Sequence, residues 1–341
     1  MNRIARLLID NVLKNIENGV LPWKGNIVPC ALTNYVSGFK YTGFNRLALS
    51  IFNYNDARFL TASQIEDLGG RIRKGEQPVP VICPKYEKEI IIKSEFNERN
   101  KLHAKPDNDV LKEDNVSTFD KDQNELSSTS NEDYYYLFNI SQVEGISFKP
   151  PEKFPQFTGK MRFKEADRII ANYPHPSPNI EIYDPNNLGP DDSSFYLFGS
   201  FANYTPKDQK GNNIDRIKIR SIDDFEEGIS EYWYANLFHE LGHSTGAEFR
   251  LNRPLNLGRD TIIFISESKS KTEIGDLHEE IIADITSSYL CALCGIKEPK
   301  RGYGQFVTDL YEYLLVTPNK LISAAWHAEK AYKFILGEYK P

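Results

Sequence analysis

The residues best suited to chemistry are His239, Glu240 and His243, which form a complete H-E-x-x-H motif. Residues four apart lie on one face of a helix, so both imidazoles can bind the same metal ion. Glu240 then lies beside the ion, where it can accept a proton from a water whose pKa the ion lowers. The motif predicts a hydrolytic metal site with one zinc ion per chain, or another divalent ion. The alternative is a surface helix that carries two histidines by chance.

Two histidines do not complete a metal site, so a third protein ligand must come from elsewhere in the chain. The extended motif H-E-x-x-H-x-x-G-x-x-H is excluded, because Phe249 stands where its third histidine belongs. That motif is also followed by a methionine turn, whereas the two methionines of this chain, Met1 and Met161, both precede His239. The third ligand is therefore expected to be a carboxylate.

A second predicted helix supplies carboxylates. Apolar residues at helical spacing follow Glu280, so Glu280 and Asp284, four residues apart, share one face. We expect Glu280 to bind the ion and Asp284 to hold the N–H of a metal-bound histidine. Glu279 is the rival ligand, although Ala283 rather than a carboxylate stands four residues after it. An acidic patch that stabilises a helix N-terminus is the alternative interpretation.

Hydrophobic periodicity predicts the elements that position these residues. Besides the two site helices, helical spacing predicts helices near residues 4–16, 47–52, 63–68, 162–172, 310–315 and 322–336. Short apolar runs predict strands at residues 79–83, 89–93, 134–138, 180–183, 195–199 and 214–219.

Charge is distributed unevenly along the chain, whose formal net charge is −7. Residues 1–93 carry 13 basic and 8 acidic side chains, a net charge of +5. Residues 94–133 carry 5 basic and 11 acidic side chains and few apolar residues, which predicts a flexible acidic insertion. Because strands are predicted before and after it, the insertion is expected to join two strands of one sheet.

Three prolines in residues 148–156 predict a linker between two domains.

Aromatic residues are mixed with basic ones in the amino-terminal part. Proteins that bind single-stranded DNA stack bases on such rings and neutralise phosphates with such charges. The candidate nucleic-acid contacts are Trp23, Tyr41, Asn45, Arg46, Arg71, Arg73 and Lys74. An ordinary core of aromatic residues with a solvated basic face is the alternative.

Motifs in both halves are similar to those of one known family, the ArdC-type antirestriction proteins. Residues 18–23, 41–45, 59–64, 68–76 and 138–142 resemble the family's domain that binds single-stranded DNA, and residues 239–246, 250–253, 279–284 and 289–295 resemble its zincin-like domain. The family usually has Glu at position 284, where this chain has Asp. The resemblance implies an α+β protein. An α/β domain that binds single-stranded DNA would occupy residues 1–147, a linker 148–160, and a zincin-like metallopeptidase domain with a small sheet and active-site helices 161–341.

The resemblance further implies a protein of a mobile element that coats incoming single-stranded DNA. Three function classes stay open: a metallopeptidase with a DNA-binding module and an unknown protein substrate, a non-catalytic DNA-coating protein with a structural metal, and a metal-dependent DNA-processing enzyme. Glu240 favours the first over the second, because a structural metal site needs no base. The third is disfavoured, because such enzymes often use two ions.

Cysteine content and hydropathy narrow the class of protein. Four cysteines (Cys30, Cys83, Cys291 and Cys294) are too few for a disulfide framework, and we expect the last two to be buried thiols rather than metal ligands. No segment approaches the ~18 consecutive apolar residues of a membrane span. The first residues form an amphipathic pattern rather than a signal sequence. We therefore expect a cytoplasmic protein with no membrane partner.

Overall fold

The computed structural model describes most of both halves of the chain. The described residues are 3–24, 31–52, 54–83, 91, 134–150, 160–183, 202–208, 210–222, 230–253, 262–264, 272–274, 277–298 and 304–339. The acidic insertion at 94–133, the predicted strand at 195–199, nearly all of the predicted strand at 89–93, most of the predicted linker, and Cys30 lie outside these residues.

The amino-terminal half combines short helices with two small sheets. Its described elements are α1 (Arg3–Glu17), β1 (Thr33–Asn34), α2 (Gly43–Ile51), β2 (Arg58–Leu60), α3 (Ala62–Asp67), β3 (Arg71–Ile72), β4 (Val79–Ile82), β5 (Tyr134–Asn139) and β6 (Val143–Glu144). One sheet has the strand order β1-β2-β5-β4, and β3 pairs with β6 in the other. β4 and β5 are antiparallel neighbours, so the chain between them connects two strands of one sheet. The strand predicted at 89–93, directly before the insertion, is not one of this pair.

The ends of α3 follow from local sequence. The Thr61 side chain accepts a hydrogen bond from the Gln64 backbone N–H, and the Gln64 side chain accepts one from the Thr61 N–H. This reciprocal cap satisfies two N–H groups that have no partner inside the helix. Gly69, with a φ of 76°, follows the last turn in the left-handed conformation that glycine adopts without strain. The helix predicted at residues 63–68 is thus confirmed.

The carboxy-terminal half places a three-stranded sheet beside long helices. Its described elements are α4 (Lys160–Ala171), β7 (Asn179–Tyr183), β8 (Ala202–Lys207), β9 (Asn213–Arg220), α5 (Ser230–Ser244), β10 (Ile262–Phe264), β11 (Thr272–Ile274), α6 (Leu277–Cys294), α7 (Gly304–Val316) and α8 (Asn319–Ile335). The sheet order is β7-β9-β8, with β7 parallel and β8 antiparallel to β9. Among the described strands β8 is an edge strand, where Pro206 is tolerated. Sequence patterns did not predict β8. This mixture of helices and small sheets confirms the α+β class.

The two halves share a hydrophobic core. Side chains of α1 and α2 pack with those of α6, α7 and α8 in one cluster, which includes Leu8, Ile16, Phe44, Ile282, Leu310 and Ala325. A second cluster joins α4 and the β7-β9-β8 sheet to α5, α6 and α8. Helix α6, which carries Glu280, therefore packs directly against the amino-terminal half, whereas α5 packs in the second cluster.

A buried arginine adds polar contacts between the halves. The guanidinium of Arg46, on α2, lies 3.9 Å from the ring centroid of Tyr289 and pairs with Glu329 at 3.1 Å.

Within the described residues, no helix is both long and apolar enough to cross a membrane.

Candidate metal centre

His239 and His243 lie one turn apart on α5, as the motif predicts. Leu237, Phe238 and Leu241 anchor this helix in the second core cluster. Gly242 lies against α6, where an added Cβ would stand 3.0 Å from the Cα of Ala283. The missing side chain at Gly242 therefore lets α5 and α6 approach closely, which brings residues of α6 within reach of both imidazoles.

Glu280 of α6 contacts both imidazoles. Its Oε2 lies 3.2 Å from Nε2 of His239, its Oε1 lies 3.5 Å from Nε2 of His243, and the two Nε2 atoms are 3.0 Å apart. One ligand atom from each of the three residues fits within 4.8 Å of the others. Two imidazole nitrogens and one carboxylate oxygen are the protein ligands of many catalytic zinc sites, which keep a fourth position for water. The three side chains thus fit a divalent ion.

The outer nitrogens of the two imidazoles face further carboxylates. Nδ1 of His239 lies 3.6 Å from Oδ1 of Asp284, and Nδ1 of His243 lies 3.4 Å from Oε1 of Glu279. A carboxylate at Nδ1 favours the tautomer whose Nε2 can bind a metal. Asp284 stands where the sequence predicted it. Glu279, the rival ligand in the sequence, lies on the outer side of His243.

Arg253 anchors Glu279. Its Nε donates to Oε2 at 2.9 Å, and its Nη2 donates to Oε1 of the same carboxylate. The same guanidinium donates to Oγ1 of Thr245 at 2.6 Å and to the backbone oxygen of Gly242 at 2.9 Å. Sequence patterns gave Arg253 no role, because nothing in the local sequence links it to a carboxylate 26 residues away.

The carboxylates favour positive charge at the two imidazoles. Burial would lower the pKa of His239, but contacts with Asp284 and Glu280 raise that pKa to about 9. Burial would raise the pKa of Glu280, but the charge and hydrogen bonds of the two histidines hold it well below its usual range. For Glu279, Arg253 and His243 outweigh burial and lower the pKa to about 2. A divalent cation would be stabilised by the same carboxylates.

Glu240 is buried on the same helix. Burial raises the pKa of its carboxyl, and the charges of His243 and His239 act in the opposite direction. The carboxylate accepts a hydrogen bond from the backbone N–H of Tyr204, on the edge strand β8. A carboxyl group whose pKa is raised toward neutrality is well suited to accept and return a proton.

Two residues of the amino-terminal half also reach the site. The indole Nε1 of Trp23 donates to Oδ2 of Asp284 at 3.1 Å, and Nζ of Lys24 lies 2.6 Å from Oδ1 of the same carboxylate. Burial would raise the pKa of Asp284, but the charge of Lys24 and the contact with His239 hold it well below its usual range. Sequence patterns gave no sign of these contacts, because 261 residues separate Trp23 from Asp284.

Four of the seven residues predicted to contact DNA are buried in the folded chain. Trp23, Tyr41, Asn45 and Arg46 are exposed by only 0%, 1%, 3% and 6%. Asn45 exchanges hydrogen bonds with the backbone of Ile82, and Arg46 lies over the ring of Tyr289 and pairs with Glu329. The Trp23 indole donates to Asp284, and the Tyr41 ring packs with those of Phe39 and Phe59. A base cannot stack on a ring that the core covers, so the prediction is wrong for these four residues. Composition alone does not separate core aromatics from surface aromatics.

The three remaining candidates are exposed. Arg71, Arg73 and Lys74 lie on β3 and the turn that follows it. Arg71 pairs with Glu144 at 2.6 Å, whereas the side chains of Arg73 and Lys74 face solvent.

A pair of stacked rings lies in the same half of the chain as this basic turn. The rings of Phe52 and Tyr54 are 6.3 Å apart with an interplanar angle of 13°, and Phe52 is 40% exposed. Burial raises the pKa of Tyr54, and the negative charge of Glu76, just after the turn, adds to the effect. Sequence patterns did not single out these two aromatics.

Cys291 and Cys294 are buried free thiols, as predicted. Burial raises the pKa of both, to about 12 for Cys294. A thiol with a raised pKa is a poor metal ligand, since the ligand is the thiolate.

Both halves of the chain match known family models. Residues 2–124 match the N-terminal domain of the anti-restriction factor ArdC, and residues 199–327 match the zincin-like metallopeptidase family. The chain is 24% identical to the DNA primase TraC of Escherichia coli over 337 residues, which cover 96% of this chain but only 26% of that protein. It is 26% identical over 197 residues to the uncharacterized protein y4eC of Sinorhizobium fredii, covering 58% of this chain and 51% of that protein. The chain thus spans only a small part of the TraC relative.

Crystal structures of the antirestriction ArdC protein from plasmid R388 show the same fold. The metal-free structure has a TM-score of 0.56 at 21% identity and covers 98% of this chain and 97% of that one. The Mn(II)-bound structure has a TM-score of 0.58 at 20% identity and covers 99% and 98%. The chain therefore has the architecture of the ArdC-type family, an ArdC N-terminal domain followed by a zincin-like metallopeptidase domain.

Proposed function

We propose that this protein is a zinc-dependent peptidase that also binds single-stranded DNA. The observation that carries the proposal is the convergence of the Nε2 atoms of His239 and His243 on the carboxylate of Glu280. The site is open on one side, since the side chains of Glu280 and His239 are 33% and 22% exposed. A structural zinc site is usually closed by four protein ligands, whereas a catalytic site keeps a position for water.

Each residue of the site has a distinct task in the proposed reaction. His239, His243 and Glu280 would hold the ion, while Asp284 and Glu279 keep the imidazoles in the tautomer that presents Nε2. When bound, the ion polarises water and the scissile carbonyl. Glu240 accepts the proton that the water loses and returns it to the leaving amine. Imidazole ligands favour zinc, and the Mn(II)-bound ArdC structure makes manganese the alternative.

The surroundings of Glu240 support a peptide substrate. The edge strand β8 contacts Glu240 through the backbone of Tyr204. An extended peptide can add to a strand edge through main-chain hydrogen bonds, which would bring its carbonyl groups close to Glu240. Enzymes that cleave phosphodiesters often use two ions in carboxylate-rich sites, whereas the candidate ligands found among the described residues suit one ion. We therefore favour the peptidase over the DNA-processing enzyme.

The test is Glu240→Gln. We expect the variant to keep its zinc and its fold while hydrolysis falls by about 10²- to 10⁴-fold, because an amide cannot accept the proton. Glu248→Gln, an exposed site just beyond the helix, is the matched control and should keep full activity. Cleavage of casein and of the protein itself is measured with zinc, with and without single-stranded DNA. If wild-type protein loaded with zinc cleaves neither, the non-catalytic DNA-coating protein becomes the better interpretation.

DNA binding is proposed for a surface of the amino-terminal half. It consists of Phe52, Tyr54, Arg71, Arg73 and Lys74, which we name the aromatic-basic patch. Three observations support it: the match of residues 2–124 to the ArdC N-terminal domain, the net charge of +5 on residues 1–93, and a stacked ring pair, one ring of which is exposed, in the same half as the exposed basic turn. Stacking tolerates any base, so little sequence preference is expected.

Fluorescence anisotropy with the intact chain tests the patch. Arg73→Ala with Lys74→Ala should reduce the slope of log affinity against log salt by about 0.7 for each phosphate that the variant no longer neutralises. Phe52→Ala or Tyr54→Ala should weaken binding with little change in slope. Lys210→Ala, which changes an exposed lysine between β8 and β9 of the other half, should change neither. Duplex DNA should bind more weakly, because its bases cannot stack on protein rings. Equal affinity for both DNA forms, or none for either, would exclude the proposed coating role.

The antirestriction role is proposed from the relatives. The ArdC protein of plasmid R388 is described as an antirestriction protein, and it shares the fold of this chain. We propose that this chain likewise protects incoming DNA of a mobile element, with an unidentified protein as the substrate of its peptidase site. The primase activity of TraC is not carried over, since this chain spans 26% of that protein.

A further inference from the structure

We infer that Trp23 and Lys24 are positioning residues of the metal centre, so that the amino-terminal half completes a site whose ligands all lie in the carboxy-terminal half. This inference rests on the proposed binding of a metal by His239, His243 and Glu280. It adds a dependence of that binding on a distant segment of the chain.

Asp284 connects the amino-terminal half to a ligand imidazole. Its Oδ1 is shared between Nζ of Lys24, at 2.6 Å, and Nδ1 of His239, at 3.6 Å. Its Oδ2 accepts the indole N–H of Trp23 at 3.1 Å. Both oxygens are therefore held by the amino-terminal half while one of them faces the ligand imidazole. This arrangement fixes the orientation of the carboxylate.

Removing either donor is costly, because the group is buried. The side chains of Lys24 and Asp284 are 8% and 7% exposed, and Trp23 is fully buried, so bulk water cannot freely take the place of a missing donor. A buried carboxylate without its cation is unfavourable, and it relieves that cost by turning toward another donor. Such a turn alters the support at Nδ1 of His239, and with it the alignment of Nε2 toward the ion.

Lys24 is itself held from a second direction. Its Nζ lies 3.4 Å from Oε1 of Glu298, whose other oxygen accepts a hydrogen bond from Oγ of Ser288 at 2.5 Å. Ser288 lies one turn beyond Asp284 on α6. Lys24 thus binds Asp284, which belongs to α6, and Glu298, which Ser288 ties to α6. These two ion pairs hold the Trp23–Lys24 segment against the helix that carries Glu280.

The partners come from different family segments of the chain. Trp23 and Lys24 lie in the segment that matches the ArdC N-terminal domain, and Asp284 lies in the segment that matches the zincin-like family. The complete metal centre therefore extends across both matched segments. Of the three side chains shown to contact Asp284, only His239 lies in the zincin-like segment; Trp23 and Lys24 lie outside it.

Zinc affinity of the full chain, measured by competition with a chromophoric chelator, tests the inference. Lys24→Met and Trp23→Phe should each weaken zinc binding by about 10- to 100-fold, the usual cost of removing an outer partner of a metal site. Lys24→Arg should recover much of the loss, because it restores a cation beside Asp284. The matched control is Arg46→Met, which removes another buried cation between the halves. It should lower stability and leave zinc affinity within about twofold, since sites without shared partners act independently.

A double-mutant cycle separates positioning from general destabilisation. If Lys24 acts through Asp284, then Lys24→Met should cost far less zinc affinity in an Asp284→Asn background than in the wild type. The absorption spectrum of the Co(II)-loaded protein gives a second readout, because its visible bands report the coordination geometry. We expect Lys24→Met to change these bands and Arg46→Met to leave them unchanged.

The outcomes distinguish this inference from the proposed metal binding. If wild-type protein holds neither zinc nor cobalt, the metal proposal fails and this inference fails with it. If the wild type holds zinc and both Lys24→Met and Trp23→Phe bind it equally well, only the positioning role is overturned. Multiplicative losses in the double-mutant cycle would also overturn it, because they would show that Lys24 acts independently of Asp284.

Discussion

Glu279 and Glu280 are adjacent in sequence and nevertheless make different contacts. Glu280 faces Nε2 of both histidines, whereas Glu279 faces Nδ1 of His243 and is held by Arg253. Adjacent residues on a helix point about 100° apart, so only one of the two can face the point between the imidazoles. At the scale of single residues, the carboxylates of the centre therefore have two roles: Glu280 would bind the ion, while Glu279 and Asp284 orient the two imidazoles.

This separation predicts opposite effects of two similar substitutions. Glu280→Gln should remove most zinc binding, with a smaller loss of stability than Glu279→Gln because the Glu280 side chain is partly exposed. Glu279→Gln should lower the free energy of unfolding by about 3–5 kcal/mol, because the buried Arg253 loses its carboxylate partner. Zinc content after dialysis and urea unfolding of metal-free protein measure the two effects. Full zinc occupancy in Glu280→Gln together with loss in Glu279→Gln would show that the ligand assignment is wrong.

At the scale of elements, the centre depends on the closeness of α5 and α6. Gly242 permits this approach, and Ala283 is the residue that it meets. Ligands on two helices keep their spacing only if the helices do, so the packing between α5 and α6 sets the geometry among His239, His243 and Glu280.

Gly242→Ala tests this role of the helix packing. The added Cβ would stand 3.0 Å from the Cα of Ala283, so the helices must separate. We expect a loss of about 1–3 kcal/mol in the free energy of unfolding, as overpacked cores show, and weaker zinc binding. Unchanged stability and unchanged zinc affinity in Gly242→Ala would contradict this role.

A second prediction at this scale concerns the start of α8. Burial lowers the pKa of Lys320 from 10.5 to about 8. Below pH 8 the folded and unfolded chains both carry the charged amine, so the folded state bears the full cost of burying it. Between pH 8 and 10.5 the folded state loses the proton before the unfolded state does, and stability contributed by this group rises with pH.

Lys320→Met should therefore be more stable than the wild type at pH 7, with an advantage that shrinks as the pH approaches 10. Urea unfolding at both pH values measures it. Lys333→Met, a change on the same helix that removes an ion pair with Glu329, is the control and should give no gain. An advantage that grows with pH would contradict the assignment of the cost to the charged amine.

At the scale of the whole molecule, the two matched segments form a joint core. Side chains from α1 and α2 pack against α6, α7 and α8, and the Arg46–Glu329 and Lys24–Asp284 pairs cross the same boundary. Separating the halves would expose this apolar surface and leave buried charges without partners. The amino-terminal half therefore contributes to the stability of the helices that carry the site.

We expect the chain to unfold in a single cooperative transition. Hydrogen exchange across a urea series, followed by mass spectrometry of peptides, should give the same midpoint for α1 and for α6. The metal-free protein should be used, so that ligand binding does not stabilise one half alone. Two separate transitions would show that the halves are independent domains joined by the predicted linker.

Local sequence by itself determined the candidate metal ligands of this protein and most of its regular elements. Two histidines at helical spacing, a carboxylate pair on a second helix and alternating apolar residues act over a few residues, so they can be recognised in the sequence alone. They predict α5 and α6 and the grouping of His239, His243 and Glu280. The edge strand β8, with Pro206 inside it, lacked such a pattern.

Only the tertiary structure decided which residues surround the candidate ligands. Trp23 and Lys24 bind Asp284, and Arg253 binds Glu279, across separations that no local pattern records. For the same reason the composition of the amino-terminal part predicts that Trp23 lies on a DNA-binding surface. The folded chain instead buries Trp23 beside the candidate metal centre. An aromatic ring flanked by basic residues has the same local sequence whether it faces solvent or a core. Its environment is set by distant elements that pack against it, and folding alone brings these together.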